Sequence, residues 1–599
     1  MCGIAGIFAY NSGSVVEEEL LACRDVMVAR GPDGSGAWIS PDGDIGLASR
    51  RLSIVDLTDA GAQPMATEDG SLRLVFNGEI YNYRALRSGL EARGHRFRSE
   101  SDTEVLLHLY RERGQNMVHD LRGMYAFALW DDRKNGLLLV RDPFGIKPLY
   151  YADDGSSIRF ASQVKALLKT GRVDTSCQPA GHVGFFLWGY VPEPYTLYRG
   201  VRALPAGSTL WIDPSGPREL RPFWKLSDEL AKGEVANGAV GRELATQRLR
   251  AALVESVKAH LVADVPVGVF LSSGLDSTTL AALASEIASS RLRTVTLAFR
   301  EYEGEENDEA PLAAKVAEKY GTLHLTRWIS KDDFQTHLSH LTAAMDQPSI
   351  DGVNTYFVSK VVAESGLKVA LSGLGGDELF GSYPSFRDVP RMANLPIPPG
   401  GAASLGKAFR LICAPLAKCF VSPKYAGLLE YGGSYGGAYL LRRGLFMPWE
   451  LPDILGDDVA REGWRELQSL LRLEETVRGV NSDRLKVSAL EMAWYMRNQL
   501  LRDADWAGMA HSLEIRVPLV DVELLRTAAP FLSSPGPLTK LDMARAPKRP
   551  LPEDVLYRRK TGFAVPVRDW LLQSEAGSNT ERGLRGWART VYALHINGT

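Results

Sequence analysis

The sequence of 599 residues has few cysteines and no hydrophobic run long enough to cross a membrane. The five cysteines are Cys2, Cys23, Cys177, Cys413 and Cys419. They form no CxxC pair and are too few for a disulfide framework in so long a chain, so we expect a reducing, cytoplasmic setting. The densest apolar cluster near a proline-rich turn, residues 185–188, is far too short for a membrane span. The amino terminus has neither the basic segment nor the apolar core of a signal peptide, and we predict no membrane association.

The chain also lacks an excess of charge of either sign. Its net charge is −3, from 69 Lys and Arg against 72 Asp and Glu. No basic face indicates nucleic acid as a partner, and none is predicted. Length alone suggests about four domains, but the motifs described below favour two large ones. No internal repeat or low-complexity tract is present.

The stretch Asp264–Ile287 predicts a buried strand, a Ser/Gly turn and a helix. The apolar strand positions are Val265, Val267, Val269 and Leu271, and the apolar helix positions are Leu280, Leu283, Ala284 and Ile287. Their spacing is typical of an amphipathic helix packed on a sheet. Because a helix amino terminus has unpaired N–H groups and a positive dipole end, such a turn can bind an anion.

The turn itself, SSGLDS at 272–277, is not a Walker A loop because it has no Gly-Lys-Ser/Thr. It resembles the pyrophosphate loop of the ATP pyrophosphatases, which split ATP between its α and β phosphates. The alternative is an ordinary strand-turn-helix, since serine-rich turns are common. Ser273 stands where that family usually has a glycine. If the position required a positive φ, serine would cost about 1 kcal/mol.

Cys2 follows the initiator methionine. A small second residue permits removal of that methionine, and the thiol would then carry a free α-amine. An α-amine with an ordinary pKa near 8 can act as a general base at neutral pH. One residue could therefore supply both the nucleophile and the base. A cysteine at position 2 is, however, not by itself specific for a catalytic role.

The motifs that follow Cys2 change that interpretation. They are CGIAGIF at 2–8, RGPDG at 30–34, RLSIVD at 51–56, FNGEIYN at 76–82, SDTE at 101–104, GMYAF at 123–127 and RDPFG at 141–145. In this order they resemble the class II glutamine amidotransferase domain. That resemblance implies an amino-terminal-nucleophile fold, an αββα sandwich of two antiparallel sheets, which we expect over residues 1–210.

The resemblance also implies roles for individual residues. Cys2 would be the nucleophile, with the Asn77 side-chain amide and the Gly78 backbone N–H holding the oxyanion. Arg51 would clamp the glutamine α-carboxylate, since its fork matches a carboxylate, and Asp102 would face the ammonium. The full predicted glutamine site is Arg51, Leu52, Ser53, Ile54, Val55, Asn77, Gly78, Glu79 and Asp102. The alternatives are a hairpin turn for Asn77-Gly78 and a helix N-cap for Asp102.

A Pro/Gly-rich, charged stretch predicts a linker over 211–240, followed by a second domain over 241–599. Residues 294–299 and 367–371 read as further buried strands, the latter followed by SGLGGDE at 372–378. Strands alternating with helices, with these turns at strand ends, predict a doubly wound parallel sheet. Helices, including 486–509, should form its carboxyl-terminal part.

The second motif resembles the corresponding segment of glutamine-hydrolysing asparagine synthetases. That resemblance implies ATP as co-substrate and Mg²⁺ as cofactor, held by Asp276 and Asp377. The implied ATP-binding residues are Leu271, Ser272, Ser273, Gly274, Asp276, Ser277, Phe299, Ser372, Gly373 and Lys560. For Lys560 the alternative is a surface basic run.

The implied reaction is glutamine-dependent amidation of a carboxylate with cleavage of ATP to AMP and pyrophosphate. The substrates would be glutamine, ATP and aspartate, with asparagine as the product. Leu374 occupies a position that is usually Glu in this family, and 347–356 lacks the Arg expected for the aspartate acceptor. The alternative is therefore a sister enzyme that amidates another carboxylate, such as a cell-surface or secondary-metabolite precursor. A homodimer is compatible with the sequence.

Three other classes predict different sequences. A β-lactam-forming cyclase needs no ammonia and should lack Cys2. A glutaminase serving sugar-phosphate or phosphoribosyl chemistry should lack the motifs at 272–277 and 372–378. An inactive scaffold should have several broken catalytic positions, whereas Leu374 is the clear break here.

Overall fold

The structure is a computed structural model that describes residues 2–11, 13–236, 241–397, 406–407, 409–411, 423–534, 536–558, 566, 570 and 583–597. The strands are β1 Cys2–Phe8, β2 Gly34–Ile39, β3 Ile45–Arg51, β4 Met65–Ala66, β5 Leu72–Ile80, β6 Gly123–Asp131, β7 Gly136–Arg141, β8 Tyr150–Asp153, β9 Ile158–Ala161, β10 Arg202–Ala203, β11 Ser208–Asp213, β12 Gly216–Pro217, β13 Arg221–Pro222, β14 Val267–Phe270, β15 Arg293–Phe299, β16 Leu323–Ile329, β17 Val369–Leu371 and β18 Glu514–Arg516.

The helices before residue 400 are α1 Glu17–Asp25, α2 Tyr83–Ala92, α3 Asp102–Arg113, α4 Val164–Leu168, α5 Pro179–Trp188, α6 Leu226–Val235, α7 Arg242–His260, α8 Leu275–Ile287, α9 Ala310–Tyr320, α10 Lys331–Ala344, α11 Val353–Glu364, α12 Gly376–Phe380 and α13 Ser385–Ala393. Those after it are α14 Leu428–Tyr431, α15 Tyr435–Arg443, α16 Pro452–Leu455, α17 Asp457–Leu467, α18 Ser469–Val477, α19 Asp483–Leu490, a π-helix Glu491–Leu501, α20 Arg502–Met509, α21 Val522–Leu532, α22 Lys540–Ala544, α23 Glu553–Leu556 and α24 Leu584–Asn597. Short 3₁₀ turns lie at Val28–Arg30, Asp59–Gly61, Gly114–His119, Arg300–Tyr302, Pro423–Gly427 and Pro448–Glu450.

The amino-terminal half is a sandwich of two antiparallel sheets. One sheet has the order β10-β8-β9-β1-β3-β2 and the other β12-β11-β7-β6-β5-β4. Apolar side chains such as Ile4, Phe8 and Val75 fill the space between the sheets, and β1 packs on β5. Helices α1 and α4 cover the first sheet, while α2 and α3 lie on the side of the second. The predicted αββα architecture is confirmed.

The Asn77-Gly78 pair lies inside β5, opposite Ala126 and Tyr125 of β6. The hairpin alternative for this dipeptide is therefore wrong. A Cβ atom at position 78 would lie 2.1 Å from the Met124 carbonyl oxygen. The backbone φ of Gly78 is +156°. The strand approaches its neighbour closely at this point, and this is why glycine is required there rather than for a turn.

The second sheet continues beyond the boundary predicted at residue 210. That boundary falls within β11, and β12 and β13 still pair with β11. In β11, Leu210 and Ile212 are buried whereas Trp211 and Asp213 are partly exposed, which is the period of a strand with one buried face. Proline and glycine in the short strands that follow hide this pattern in the sequence.

The carboxyl-terminal half contains a parallel sheet with the order β16-β15-β14-β17-β18. Chain order runs outward in both directions from β14, as in a doubly wound sheet, and this prediction is confirmed. The order reverses between β14 and β17, where the turns at 271–274 and 372–375 leave the strand ends. Ligands bind at such a reversal because adjacent loops diverge there and leave a crevice.

One large apolar core spans both halves of the molecule. It joins α5 of the first half, through Val183 and Leu187, to the parallel sheet and to α17. The predicted helix at 486–509 is divided in the structure into α19, the π-helix and α20. Across the described ranges, each helix is too short or too polar to cross a membrane.

Removing apolar volume from α8, the helix that follows the turn at 272–277, should destabilise the carboxyl-terminal half. Leu280 of α8 is fully buried, so Leu280→Ala leaves a cavity and should lower the free energy of unfolding by about 2–5 kcal/mol. Urea denaturation followed by fluorescence measures this loss. Leu471→Ala removes the same atoms at a site that is 52% exposed and is the matched control. Equal midpoints for the two variants would contradict this packing.

Candidate active sites

Cys2 lies at the start of β1 between the two sheets, and it is only 6% exposed. Its backbone nitrogen donates to Asn77 Oδ1 at 3.1 Å. Gln63 Nε2 is 4.0 Å from Cys2 Sγ, while Gln63 Oε1 accepts from the Phe76 N–H. Gln63 was missed in the sequence because no motif marks it. The Gln63 side chain contacts the thiol from the side of β4.

Burial raises the pKa of the Cys2 thiol above its usual value. The thiol therefore needs a base to become a nucleophile at neutral pH. This finding fits the α-amine role predicted from the position of Cys2.

Asn77 has a buried amide group beside the Cys2 backbone. Its Oδ1 is occupied by Cys2, while its Nδ2 has no hydrogen-bond partner within the described chain. Asn77 is completely buried, and buried donors are nearly always satisfied. An unpaired donor beside a candidate nucleophile is what stabilisation of a developing oxyanion requires.

Arg51 lies opposite Cys2 in the β1–β3 pairing. Its guanidinium donates to the Thr58 carbonyl at 2.9 Å and to the Asp56 carbonyl, and so it orders the loop after β3. In the loop after β3, the Ser53 N–H donates to Asp33, which lies just before β2. Leu52, Ile54 and Val55 are buried. The predicted loop therefore begins beside the thiol, where the Leu52 backbone forms a hydrogen bond with Cys2 Sγ.

Glu79 lies near the carboxyl end of β5, and Asp102, the first residue of α3, contacts that end of the strand. Asp102 Oδ2 accepts from the Ile80 N–H at 2.9 Å. The helix cap is Ser101, whose side chain accepts from Thr103, so the N-cap alternative for Asp102 is wrong. Burial raises the pKa of Asp102 to about 6. Glu79 lies 3.3 Å from Arg516 of β18, and burial raises its pKa well above the usual range.

The second candidate site is a cavity of about 500 Å³ at the reversal point of the parallel sheet. Most of the predicted nucleotide residues line it: Leu271, Ser272, Ser273, Gly274, Asp276, Ser277, Ser372 and Gly373. The Ser277 hydroxyl donates to the Ser272 carbonyl, which closes the first turn. A side chain at Gly373 would bring its Cβ to 2.8 Å from Asp276 Cβ, so the two turns touch there.

Ser273 is not strained. Its φ does not lie among the positive values of the chain, and its hydroxyl donates to the Glu309 carbonyl at 2.7 Å. The cost considered for a serine at a left-handed position therefore does not arise. Serine instead ties the turn to the segment before α9.

Asp276 and Asp377 converge on one ammonium group, that of Lys540. Lys540 Nζ is 2.6 Å from Asp276 Oδ2 and also contacts Asp377 Oδ1. Burial opposes the charge, but the two carboxylates raise the pKa of Lys540. Lys540 was missed in the sequence because its contacts span more than 160 residues and no local pattern marks them.

The remaining predicted residues are placed differently. Phe299 ends β15 and packs against Tyr302 and Trp570, outside the residues that line the cavity. Lys560 lies outside the described residues. Leu374 lines the cavity, as do Asn354 and Thr355 from the altered 347–356 segment. Leu374 therefore adds an apolar side chain to the lining that also contains Asp276 and Asp377.

Comparison with known proteins connects both sites to one family. Residues 1–224 match the family model described as a glutamine amidotransferase domain. Residues 248–592, more than half of the chain, match the model described as asparagine synthase. The chain belongs to the asparagine synthase family.

Relatives within the family align over most of the chain. Asparagine synthetase [glutamine-hydrolyzing] 1 of Bacillus subtilis (strain 168) is 33% identical, with 95% of this chain and 88% of the relative covered. A putative asparagine synthetase [glutamine-hydrolyzing] of Mycobacterium tuberculosis H37Rv is also 33% identical, covering 96% of this chain and 89% of the relative. Asparagine synthetase B [glutamine-hydrolyzing] of Escherichia coli K12 is 33% identical over 66% of this chain and 67% of its own.

The donor set at Asp276 and Asp377 fits a magnesium ion bound together with phosphates. Mg²⁺ typically takes one or two protein carboxylates and completes its shell with water and substrate oxygens. No group of three or more His, Cys, Asp or Glu suited to a metal occurs among the described residues. Two carboxylates alone make a weak site, so the ion would arrive with the nucleotide.

The raised pKa of Asp102 predicts a pH-dependent stability. The folded value of about 6 exceeds the unfolded value near 3.9, so stability is lost as pH rises through 6. Asp102→Asn removes the buried charge. At pH 8 it should raise the free energy of unfolding by roughly 3 kcal/mol over the parent. The gain should vanish near pH 4, as urea midpoints across pH would show. Asp458→Asn, at a side chain 97% exposed, is the control. A gain independent of pH would contradict this origin.

Proposed function

We propose that this protein is a glutamine-dependent asparagine synthetase. One observation carries the proposal: a single chain contains a buried Cys2 beside the unpaired Asn77 amide and also a two-turn cavity with paired carboxylates. The first arrangement suits amide hydrolysis and the second suits ATP. The names of the relatives support aspartate as the acceptor. Leu374 differs from the Glu that is usual at this position in the family, and so the cavity has one carboxylate fewer.

The first half would release ammonia from glutamine. With Met1 removed, the α-amine of Cys2 would take the thiol proton, and the thiolate would attack the amide carbon. Asn77 Nδ2 and the Gly78 N–H would hold the oxyanion until the C–N bond breaks, while the protonated α-amine gives its proton to the nitrogen that leaves as ammonia. Water would then release glutamate from the thioester. Arg51 and Asp102 would orient the α-carboxylate and the α-ammonium, and Leu52, Ser53, Ile54, Val55 and Glu79 would complete the pocket.

The second half would activate the acceptor. An oxygen of the aspartate β-carboxylate would attack the α-phosphorus of ATP, the bond to the β-phosphate oxygen would break, and pyrophosphate would leave. Backbone groups of 271–274 and 372–373 would bind the phosphates, as helix amino termini do. Lys540 would neutralise phosphate charge. Mg²⁺ held by Asp276 and Asp377 would stabilise charge on the leaving pyrophosphate. Ammonia would then attack the acyl carbon and release AMP.

The location of the reaction follows from the thiol chemistry. Cys2, Cys23 and Cys177 are free thiols, and a nucleophilic cysteine functions in its reduced form. We therefore propose the cytoplasm. Phe299 and Lys560 remain proposed as further ATP contacts.

Changing the nucleophile should separate the two half-reactions. Cys2→Ala removes the thiolate, so glutamate release and glutamine-dependent asparagine formation should fall to background. Asparagine formation from added ammonium chloride should persist, because the second site is intact. Cys23→Ala, at another buried cysteine, is the matched control and should retain both activities. Glutamate release by Cys2→Ala at the parental rate would refute the assignment of the nucleophile.

Removing the ammonium group between the two carboxylates should slow activation of the acceptor. With ammonium chloride as the nitrogen donor, Lys540→Met should form AMP about 100-fold more slowly than the parent. Chromatography of the nucleotides measures AMP against ADP. Lys548→Met, at an exposed lysine nearby in sequence, should keep the parental rate. ADP as the nucleotide product, or a parental rate in Lys540→Met, would refute the proposed ATP chemistry.

A further inference from the structure

A second cavity, of about 700 Å³, lies where the first half of the chain meets the π-helix. We call it the arginine cavity; Glu193, Pro194, Arg472, Trp494, Arg497 and Asn498 are among its lining residues. It is separate from the nucleotide cavity, to which the π-helix contributes Leu500. Its size is that of a small-molecule site, and neither half-reaction uses it.

Arg472 lines this cavity and has one donor without a partner among the described residues. Its Nη2 donates to the Glu193 carbonyl, and its guanidinium lies 5.4 Å from the centre of the Trp494 ring and 5.8 Å from that of Tyr195. Its Nη1 is buried and has no hydrogen-bond partner within the described chain. The Arg472 guanidinium is thus held in place by a carbonyl and two aromatic rings, while its Nη1 has no hydrogen-bond partner among the described residues.

Arg497 adds a second guanidinium from the π-helix. Its Nε donates to the Phe144 carbonyl at 3.1 Å. Among the described residues that is its one hydrogen bond, and no carboxylate forms an ion pair with it. Its two Nη groups therefore remain available to the cavity that it lines.

The charges around these arginines do not balance. Glu193 is near both of them, but it already pairs with Arg141 at 2.7 Å, and Glu475 is near Arg472 alone. The cavity lining carries four basic side chains, Lys225, Arg472, Arg478 and Arg497, against three acidic ones, Glu193, Asp228 and Glu475. Asp142 lies close to Arg497, yet its oxygens accept from the N–H groups of residues 125, 144, 146 and 147. Burial lowers the pKa of Arg497, and Arg141 and Arg472 lower it further, whereas Glu193 and Asp142 act in the opposite direction.

Uncompensated buried charge is unfavourable unless a partner is supplied. Arginine forks recognise carboxylate and phosphate oxygens in particular, because two parallel hydrogen bonds form with either group. Beside the two guanidinium groups, Trp494 and Pro194 offer an apolar surface for the rest of a ligand.

We propose that the arginine cavity binds a small organic oxyanion, whose phosphate or carboxylate group is held between Arg472 and Arg497 and whose apolar part packs on Trp494. The ligand would neutralise the excess positive charge at the junction of the two halves. The site is independent of the proposed reaction, and its test does not use turnover.

The experiment uses full-length protein with the nucleotide cavity filled by Mg²⁺ and the non-cleavable α,β-methylene analogue of ATP, so that added phosphate cannot report on that cavity. Thermal unfolding is followed while potassium phosphate or citrate is added, with potassium chloride at equal ionic strength as the reference. At saturation, at least one of the two anions should raise the midpoint by about 2 °C over chloride. The more effective anion identifies the head group as phosphate or carboxylate.

Variants test the location of the site. Arg497→Gln and Arg472→Gln should each lose the anion-dependent rise, and Arg465→Gln, at an exposed arginine of α17, should keep it. Equilibrium dialysis with radiolabelled phosphate or citrate, whichever raised the midpoint, should count one site per parental chain and none in either cavity variant. A parental protein that responds to neither anion beyond chloride, or cavity variants that respond fully, would overturn the proposal.

Discussion

The structure depends on one buried guanidinium, that of Arg516, which ties the two halves together. Arg516 is completely buried on β18; its side chain contacts Glu514 and Glu79 and donates to the carbonyls of His260 and Val262. Its own carbonyl accepts from the Ser372 N–H at 2.8 Å, at the edge of the nucleotide cavity. One residue therefore contacts the strand of the candidate oxyanion site and fixes a turn of the other site. Removing one partner of such a buried network typically costs about 3–5 kcal/mol.

A second ion pair gives the same connection from the side of the thiol. The Arg30 guanidinium donates to the Cys2 carbonyl at 3.3 Å and forms two hydrogen bonds with Asp505 of α20. The residue before Asp505, Ala504, lines the nucleotide cavity. Ammonia would be protonated in water, and an acyl-adenylate would be hydrolysed there. A rigid, largely buried junction between the halves is what such a coupled reaction needs.

Much of this arrangement could be predicted from the sequence because it is local. The apolar strand before SSGLDS, the stripe of α8 and the ordered motifs after Cys2 specify each element and the turn that follows it. The rest depends on contacts between distant residues. Gln63, Lys540 and Arg516 reach their partners across 61 to more than 400 positions, and no spacing rule reports such pairs. At Asn77-Gly78 the strong local turn signal is overridden by strand pairing with β6, so the hairpin alternative fails and the placement implied by the family resemblance is the one that fits the strand.

The most direct test of a coupled two-site enzyme is the origin of the nitrogen in its product. The enzyme is given glutamine labelled with ¹⁵N in the side-chain amide, together with ATP, Mg²⁺, aspartate and an excess of unlabelled ammonium, and the asparagine formed is analysed by mass spectrometry. If ammonia passes between the sites within the protein, the product carries ¹⁵N in nearly every molecule despite the excess of unlabelled ammonium. Asparagine with the isotope content of the bulk ammonium, or no asparagine at all, would contradict the account.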